Sequence, residues 1–211
     1  MRIAFCINKY FPYGGLQRDF MRIAKEVLSR GHTVRVYTRQ WEGDNPTEME
    51  VVKVPTTSFR NIGKNVQYFR WVQKHLQSNP VDKVVGFNRM PGLDVYFAGD
   101  VCYAENNKNR GFFYKLSSRY RHFCAFEKAV FSKGLKTKIL LLTNKNKLDY
   151  QKHYDTEDDR FYLLPPGIDF DRKYDRQPEG SREAFREEFG IAPHQKLLLQ
   201  VCSNYELKGV D

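Results

Sequence analysis

The chain has 211 residues, 41% hydrophobic and 28% charged, with a formal net charge of +10. This suits a soluble globular protein with one sizeable core plus a remainder, or two small domains, and the cation excess calls for an anionic partner: a phosphorylated ligand, nucleic acid or an anionic membrane surface. No apolar run reaches the length of a membrane span, the start of the chain does not read as a signal peptide, and four scattered cysteines (Cys6, Cys102, Cys124, Cys202) and five histidines without ligand spacing give neither a disulfide framework nor a metal site.

Ile3–Ile7 is an apolar run that reads as a buried strand. Leu16, Phe20, Ile23, Ala24, Val27 and Leu28 then recur at helical spacing, ending at Gly31. Between them Gly14 and Gly15 allow close backbone approach, and the N–H groups that open the helix attract anions. The pair is a candidate phosphate contact or, more simply, a plain βα turn. Further strands are expected over 32–38, 51–54, 84–87, 95–98, 138–143 and 161–164, with helices over 61–77, 112–131 and 145–154. Alternating apolar strands and helices imply a mostly parallel sheet covered on both faces.

After Asp169 the sequence turns polar, and 170–180 reads as a linker. Ser181 is expected as the N-cap of a helix ending at Gly190, and Lys196–Val201 as a buried strand opening a second α/β domain. The division is therefore 1–169, a linker over 170–180, and the start of a further domain over 181–211.

The segment Tyr103–Lys133 carries seven cations against Glu105 and Glu127, which is half of the chain's positive excess, interleaved with eight aromatic residues. On a continuous helix Phe112, Leu116, Tyr120, Phe123 and Phe131 share a face beside Lys115, Arg119 and His122. Such a helix either rests on an anionic bilayer, with Phe112, Phe113, Tyr120, Lys115, Arg119 and Arg121 as its contacts, or turns its aromatic face to the core. Nucleic acid is the weaker reading, since no nucleic-acid motif accompanies the charge. A dinucleotide oxidoreductase is disfavoured: G-x-G-x-x-G is missing from the first turn, and the second strand closes on Tyr37-Thr38-Arg39 without an acidic residue.

Three segments in order carry a family resemblance: the Gly14-Gly15 loop, Pro165-Pro166-Gly167-Ile168-Asp169, and Leu199–Asp211 with Lys208-Gly209. Together they resemble the retaining glycosyltransferases of the GT-B fold in family four, which face two Rossmann-like domains across a cleft. Lys9–Pro12, Gly14–Ala24, Trp41–Asp44, Met90–Ala98 and Ser118–His122 are similar to its members that glucosylate the inner-core heptose of lipopolysaccharide. The resemblance covers the whole chain but only the N-terminal part of the family's length. It implies an α/β N-terminal Rossmann-like domain plus the start of a second. The implied reaction is transfer of glucose from UDP-glucose to the lipopolysaccharide inner core with retention, on the cytoplasmic face of the inner membrane and without a metal. The alternative is a module that binds membrane and acceptor without catalysing transfer.

By the same resemblance Gly14, Gly15, Arg172 and Lys208 contact the donor; Arg172 otherwise reads as a solvated linker charge and Lys208 as a solvated turn lysine. Leu207 stands where close relatives carry Arg, and the family's paired glutamates lie past Asp211. Asp100, at the C-terminal end of an apolar strand, is placed to orient the acceptor hydroxyl, to accept its proton, or simply to cap a helix. Asp19 either contacts the acceptor or is simply stabilised by the helix N-terminus.

Overall fold

The computed structural model describes residues 1–165, 167 and 178–200. In chain order the elements are β1 (Arg2–Cys6), β2 (Lys9–Tyr10), α1 (Gly15–Ser29), β3 (Thr33–Thr38), β4 (Gln40–Trp41), β5 (Met49–Lys53), α2 (Asn61–Ser78), β6 (Lys83–Gly86), β7 (Val95–Ala98), α3 (Tyr103–Asn106), α4 (Phe112–Leu116), α5 (Ser118–Phe131), β8 (Lys138–Leu141), α6 (Asn144–Tyr154), β9 (Phe161–Leu163) and α7 (Ser181–Glu188). A 3-10 turn at Asp158–Arg160 precedes β9.

Seven strands form one all-parallel sheet in the order β5-β3-β1-β6-β7-β8-β9. Period-two alternation divides the core between the two faces. Phe5, Ile7, Val34, Val36 and Phe97 pack with Phe20 and Ala24 of α1, while Ala4, Cys6, Tyr37, Tyr96, Ile139 and Leu141 pack with Tyr68 and Val72 of α2, Phe131 of α5 and Tyr150 of α6. Burial on both faces explains why these strands read as continuous apolar runs. α1 ends in a Schellman motif: Gly31 is left-handed at φ +78, its N–H donates to Leu28 O at 2.9 Å, and His32 N–H donates to Val27 O at 3.3 Å.

The chain divides into two compact units, Met1–Pro165 and Pro166–Asp211. In the second, α7 is capped by Gly180 at φ +79 rather than by Ser181, whose hydroxyl instead donates to Pro178 O at 2.5 Å. The strand expected from Lys196 is not formed over 196–200, where Leu198 is 97% exposed. A strand needs a neighbour for its N–H and C=O groups, and the described residues of this unit hold no other strand.

The single helix expected over 112–131 is also broken. Ser117 is extended (φ −62, ψ 146), and its hydroxyl accepts from Tyr120 N–H at 3.2 Å, capping α5 and ending α4. Phe131, expected on the shared aromatic face, is fully buried beneath Tyr150, with ring centroids 3.6 Å apart. Two short strands not read from the sequence, β2 and β4, pair in parallel as a separate ribbon, with Tyr10 stacked on Trp41 at 4.0 Å.

Candidate functional site

β1 lies between β3 and β6, so strand order reverses at the β1–β6 junction. Open α/β sheets bind ligands beyond the C-terminal ends of the strands at such a switch point. Asn8, after β1, donates its N–H to Asn88 Oδ1, after β6, at 2.7 Å. This bond ties the two loops together.

Gly14 and Gly15 stand at this end of the sheet with distinct roles. Gly14 is the N-cap of α1, with no side-chain capping bond. A Cβ there would lie 1.9 Å from Gln17 Oε1 and 2.9 Å from Phe11 Cε2. Gln17 is buried and donates Nε2–H to Lys9 O at 3.0 Å, fastening α1 to β2. Gly14 thus serves the protein's own packing, since a Cβ there would force Gln17 to move. A Cβ on Gly15 would meet nothing within 4 Å. Gly15, in the first turn of α1, faces open space where a ligand can approach uncapped N–H groups.

Asp100 is exposed two residues past β7. It does not cap α3, whose N-cap is Cys102. Gly99 beside it would bring a Cβ within 2.9 Å of Leu16 Cδ1, so this loop packs on the first turn of α1. The Asp100 loop and the Gly14-Gly15 loop are therefore neighbours. Asp100, Asn8, Asn88, Arg89, Tyr103 and Arg119 line a cleft of about 320 Å³.

The Asp100 loop is held from below. Arg89 donates to Val101 O at 2.6 Å, and Tyr150 OH donates to Asp100 O at 3.0 Å. The Arg89 guanidinium pairs with Glu127 of α5 at 3.1 Å; Glu127 is fully buried and Arg89 nearly so. Burial alone would lower the Arg89 pKa, but Tyr96, Tyr150, Glu127 and Asp100 more than reverse this and raise it. Glu127 also accepts from Tyr103 N–H at 2.7 Å, Ala104 N–H at 3.0 Å and Tyr154 OH at 2.6 Å. A carboxylate from α5 therefore supplies the cap that α3 lacks locally.

Residues 13–172 match the family model described as Glycosyltransferase Family 4. The chain is 58% identical over its whole length to the lipopolysaccharide glucosyltransferase WaaG of Escherichia coli (strain K12). The chain belongs to glycosyltransferase family 4. It spans about half the length of the relatives it matches: 57% of that protein, and 56% of the chain in the crystal structure of WaaG, a glycosyltransferase involved in lipopolysaccharide biosynthesis, which superposes with a TM-score of 0.92 at 58% identity over 99% of this chain. A glycosyltransferase from Rickettsia africae ESF-5 shares the fold, with a TM-score of 0.60 at 15% identity over 92% of this chain and 50% of its own. Residues 1–165 are thus the Rossmann-like N-terminal domain of the GT-B fold that family 4 uses.

The other residues anticipated from the family pattern fall in three places. Arg172 and Lys208 lie outside the described residues. Asp19 is half-buried on α1, paired with Arg22 at 3.8 Å, and is not among the residues lining the Asp100 cleft. In the basic aromatic segment Phe112 and Phe113 are 71% and 86% exposed on α4. Lys115 donates to Lys108 O at 2.9 Å, Tyr120 packs on Tyr103 and Tyr114, and Arg121 is exposed. Arg119 stacks over Phe123 at 5.3 Å on the rim of the cleft.

Among the described residues no group of three His, Cys, Asp or Glu side chains is placed to hold a metal ion, and no helix is long and apolar enough to cross a membrane. The sequence reading missed Arg89, Glu127 and Tyr150. The available signal was a carboxylate at 127 among Phe126, Val130 and Phe131, since a charge on an apolar helix face calls for a buried partner.

Proposed function

We propose that this chain forms the acceptor side of a glucosyltransferase that transfers glucose from UDP-glucose to the inner-core heptose of lipopolysaccharide. The carrying observation is the 58% identity over the whole chain to the E. coli lipopolysaccharide glucosyltransferase WaaG. The neighbouring Gly15 turn and Asp100 cleft support it. In this reading the donor diphosphate lies against the N–H groups at the start of α1, where Gly15 leaves room. Asp100 orients the acceptor hydroxyl and takes its proton as the glycosidic bond forms. The hydroxyl enters on the face the phosphate leaves, which retains configuration without a covalent sugar–protein bond, and protein cations rather than a metal meet the leaving charge. Arg172 and Lys208 are assigned to the donor, Asp19 to the acceptor.

Membrane contact belongs to the same reading. Phe112, Phe113 and the 56%-exposed Leu116 put apolar area on the outside of α4, beside Lys115, Arg119 and Arg121. In this reading the protein works at the cytoplasmic face of the inner membrane, where an anchored acceptor is within reach.

The test is glucose transfer from UDP-glucose to heptose-terminated core, by this chain and by a version extended past Asp211. Transfer by the extended version, with retention, supports the proposal. If the 211-residue chain alone binds acceptor and vesicles but does not transfer, it is a binding module whose activity resides in the longer protein. Transfer by neither version overturns the assignment.

A further inference from the structure

A second cavity, of about 500 Å³, opens in the first unit. Its walls carry Lys9 of β2, Arg39 just past β3, Lys53 at the end of β5 and Lys64 in the first turn of α2, with Thr56 and Asn61 between them. Among the described residues no carboxylate lines it. Lys9 is shared with Glu42 at 2.9 Å, whereas no carboxylate among the described residues pairs with Arg39, Lys53 or Lys64. Cations gathered without counter-charges repel one another, an arrangement that an anion relieves.

Two independent features point the same way. Arg39 Nε is buried without a hydrogen-bond partner, a cost that folded proteins seldom leave unexplained. α2 has 18 residues, no side-chain cap and no acidic residue in its first turn, so its N-terminal end also favours negative charge. The loop before α2 is fixed: Gln67 Oε1 accepts from Thr57 and Ser58 N–H, each at 3.0 Å. The volume is that of a small-molecule pocket.

We propose that this cavity is an anion subsite for phosphate or carboxylate groups on the acceptor saccharide, separate from the Asp100 cleft. The choice of acceptor rests on the proposed function; the anion site itself does not. Lys9 joins the two sites, because the carbonyl of the same residue receives the Gln17 bond that braces the Gly14-Gly15 turn. An acceptor anchored here by its charged groups would present a neighbouring hydroxyl toward that turn.

The test titrates glucose 6-phosphate, galacturonate and UDP by calorimetry into the 211-residue chain. Wild type, the double variant Lys53→Gln/Lys64→Gln and the control Lys25→Gln, on the exposed side of α1, are compared. Glucose 6-phosphate or galacturonate is expected to bind, weakened about tenfold or more in the double variant, the size of a lost charge-assisted hydrogen bond, and unchanged in the control. Which of the two binds tells phosphate from carboxylate. Wild-type binding of neither, or equal binding in the double variant, overturns the site. Competition by UDP reassigns the cavity to the donor and overturns the acceptor claim. In the extended chain the double variant should raise the acceptor KM and leave the UDP-glucose KM alone. If the extended wild type transfers nothing while the saccharide anions still bind in the cavity, the proposed function fails and the anion site stands.

Discussion

Replacing Glu127 with Gln removes one charge and one acceptor from the most heavily used side chain in the domain. Oε1 receives Arg89 at 3.1 Å and Tyr103 N–H at 2.7 Å; Oε2 receives Ala104 N–H at 3.0 Å, Tyr154 OH at 2.6 Å and Cys102 Sγ at 3.7 Å. Whichever way the amide turns, its NH2 faces at least two donors. Two buried donors left unsatisfied cost about 1–3 kcal/mol each, and breaking a buried ion pair by removing one partner costs about 3–5 kcal/mol. The two routes agree, and a loss of about 3–5 kcal/mol is a fifth or more of a typical domain stability of about 5–15 kcal/mol. In a protein of this size about 1 kcal/mol moves Tm by roughly 2–4 °C, so Tm should fall by roughly 6–20 °C. Urea unfolding should show a lower midpoint at unchanged slope. Arg89→Met should do comparable damage, and the double variant should lose less than the sum, because the two residues act as one unit. A Glu127→Gln loss under about 1 kcal/mol, or strict additivity with Arg89→Met, would refute the claim that this pair supports the Asp100 loop.

Further outcomes are expected. Gly14→Ala should destabilise by about 1–2 kcal/mol, because its Cβ displaces Gln17 and breaks the Lys9 bond. Gly15→Ala should be neutral or stabilising by up to about 1 kcal/mol; thermal melts separate the two, and lost transfer in an extended Gly15→Ala protein would then report a ligand clash. Asp100→Asn should leave stability within about 0.5 kcal/mol yet reduce transfer by the extended protein by about 100-fold or more; full activity would remove Asp100 from the chemistry. Sedimentation with vesicles should show binding to anionic but not neutral lipid, weakened by Phe112→Ser/Phe113→Ser and by Lys115→Gln/Arg119→Gln/Arg121→Gln; equal binding to both lipids refutes the membrane contact. Gly134 N–H and Arg160 hold Glu157 down to about 2, and Lys108, His153 and Lys152 do the same for Glu105. A depressed carboxyl stabilises fully above its unfolded pKa of about 4.3 and loses that contribution as pH falls toward 2. Tm should therefore drop between those pH values, and Glu157→Gln should shrink the drop; an unchanged drop would exclude Glu157 as a source.

The sheet was legible in the sequence because burial on both faces leaves an unbroken signal. Ala4, Phe5, Cys6 and Ile7 are all apolar, and the structure sends them alternately to opposite cores. The Gly14-Gly15 turn was legible as a turn, but its two glycines read alike. Only the distance from Gly14 to Gln17 shows that one glycine serves internal packing and the other leaves open space. The break at Ser117 was readable in principle: Ser117-Ser118 in a helical run offers an N-cap, and a periodic aromatic face on either side concealed it.

What the sequence could not display is the coupling of distant elements. Arg89 reads as a loop cation and Glu127 as one of two anions in a basic stretch, and nothing in 38 residues of separation announces that they meet. The sheet order makes them meet. β6 and β7 are neighbours, so the loop carrying Arg89 lies beside the loop carrying Asp100, and α5 packs beneath both with its charge turned inward. That charge carries the capping of α3, the burial of Arg89 and the position of the Asp100 carbonyl together. A substitution at Glu127, which does not line the cleft, should therefore displace the carboxylate proposed to act there.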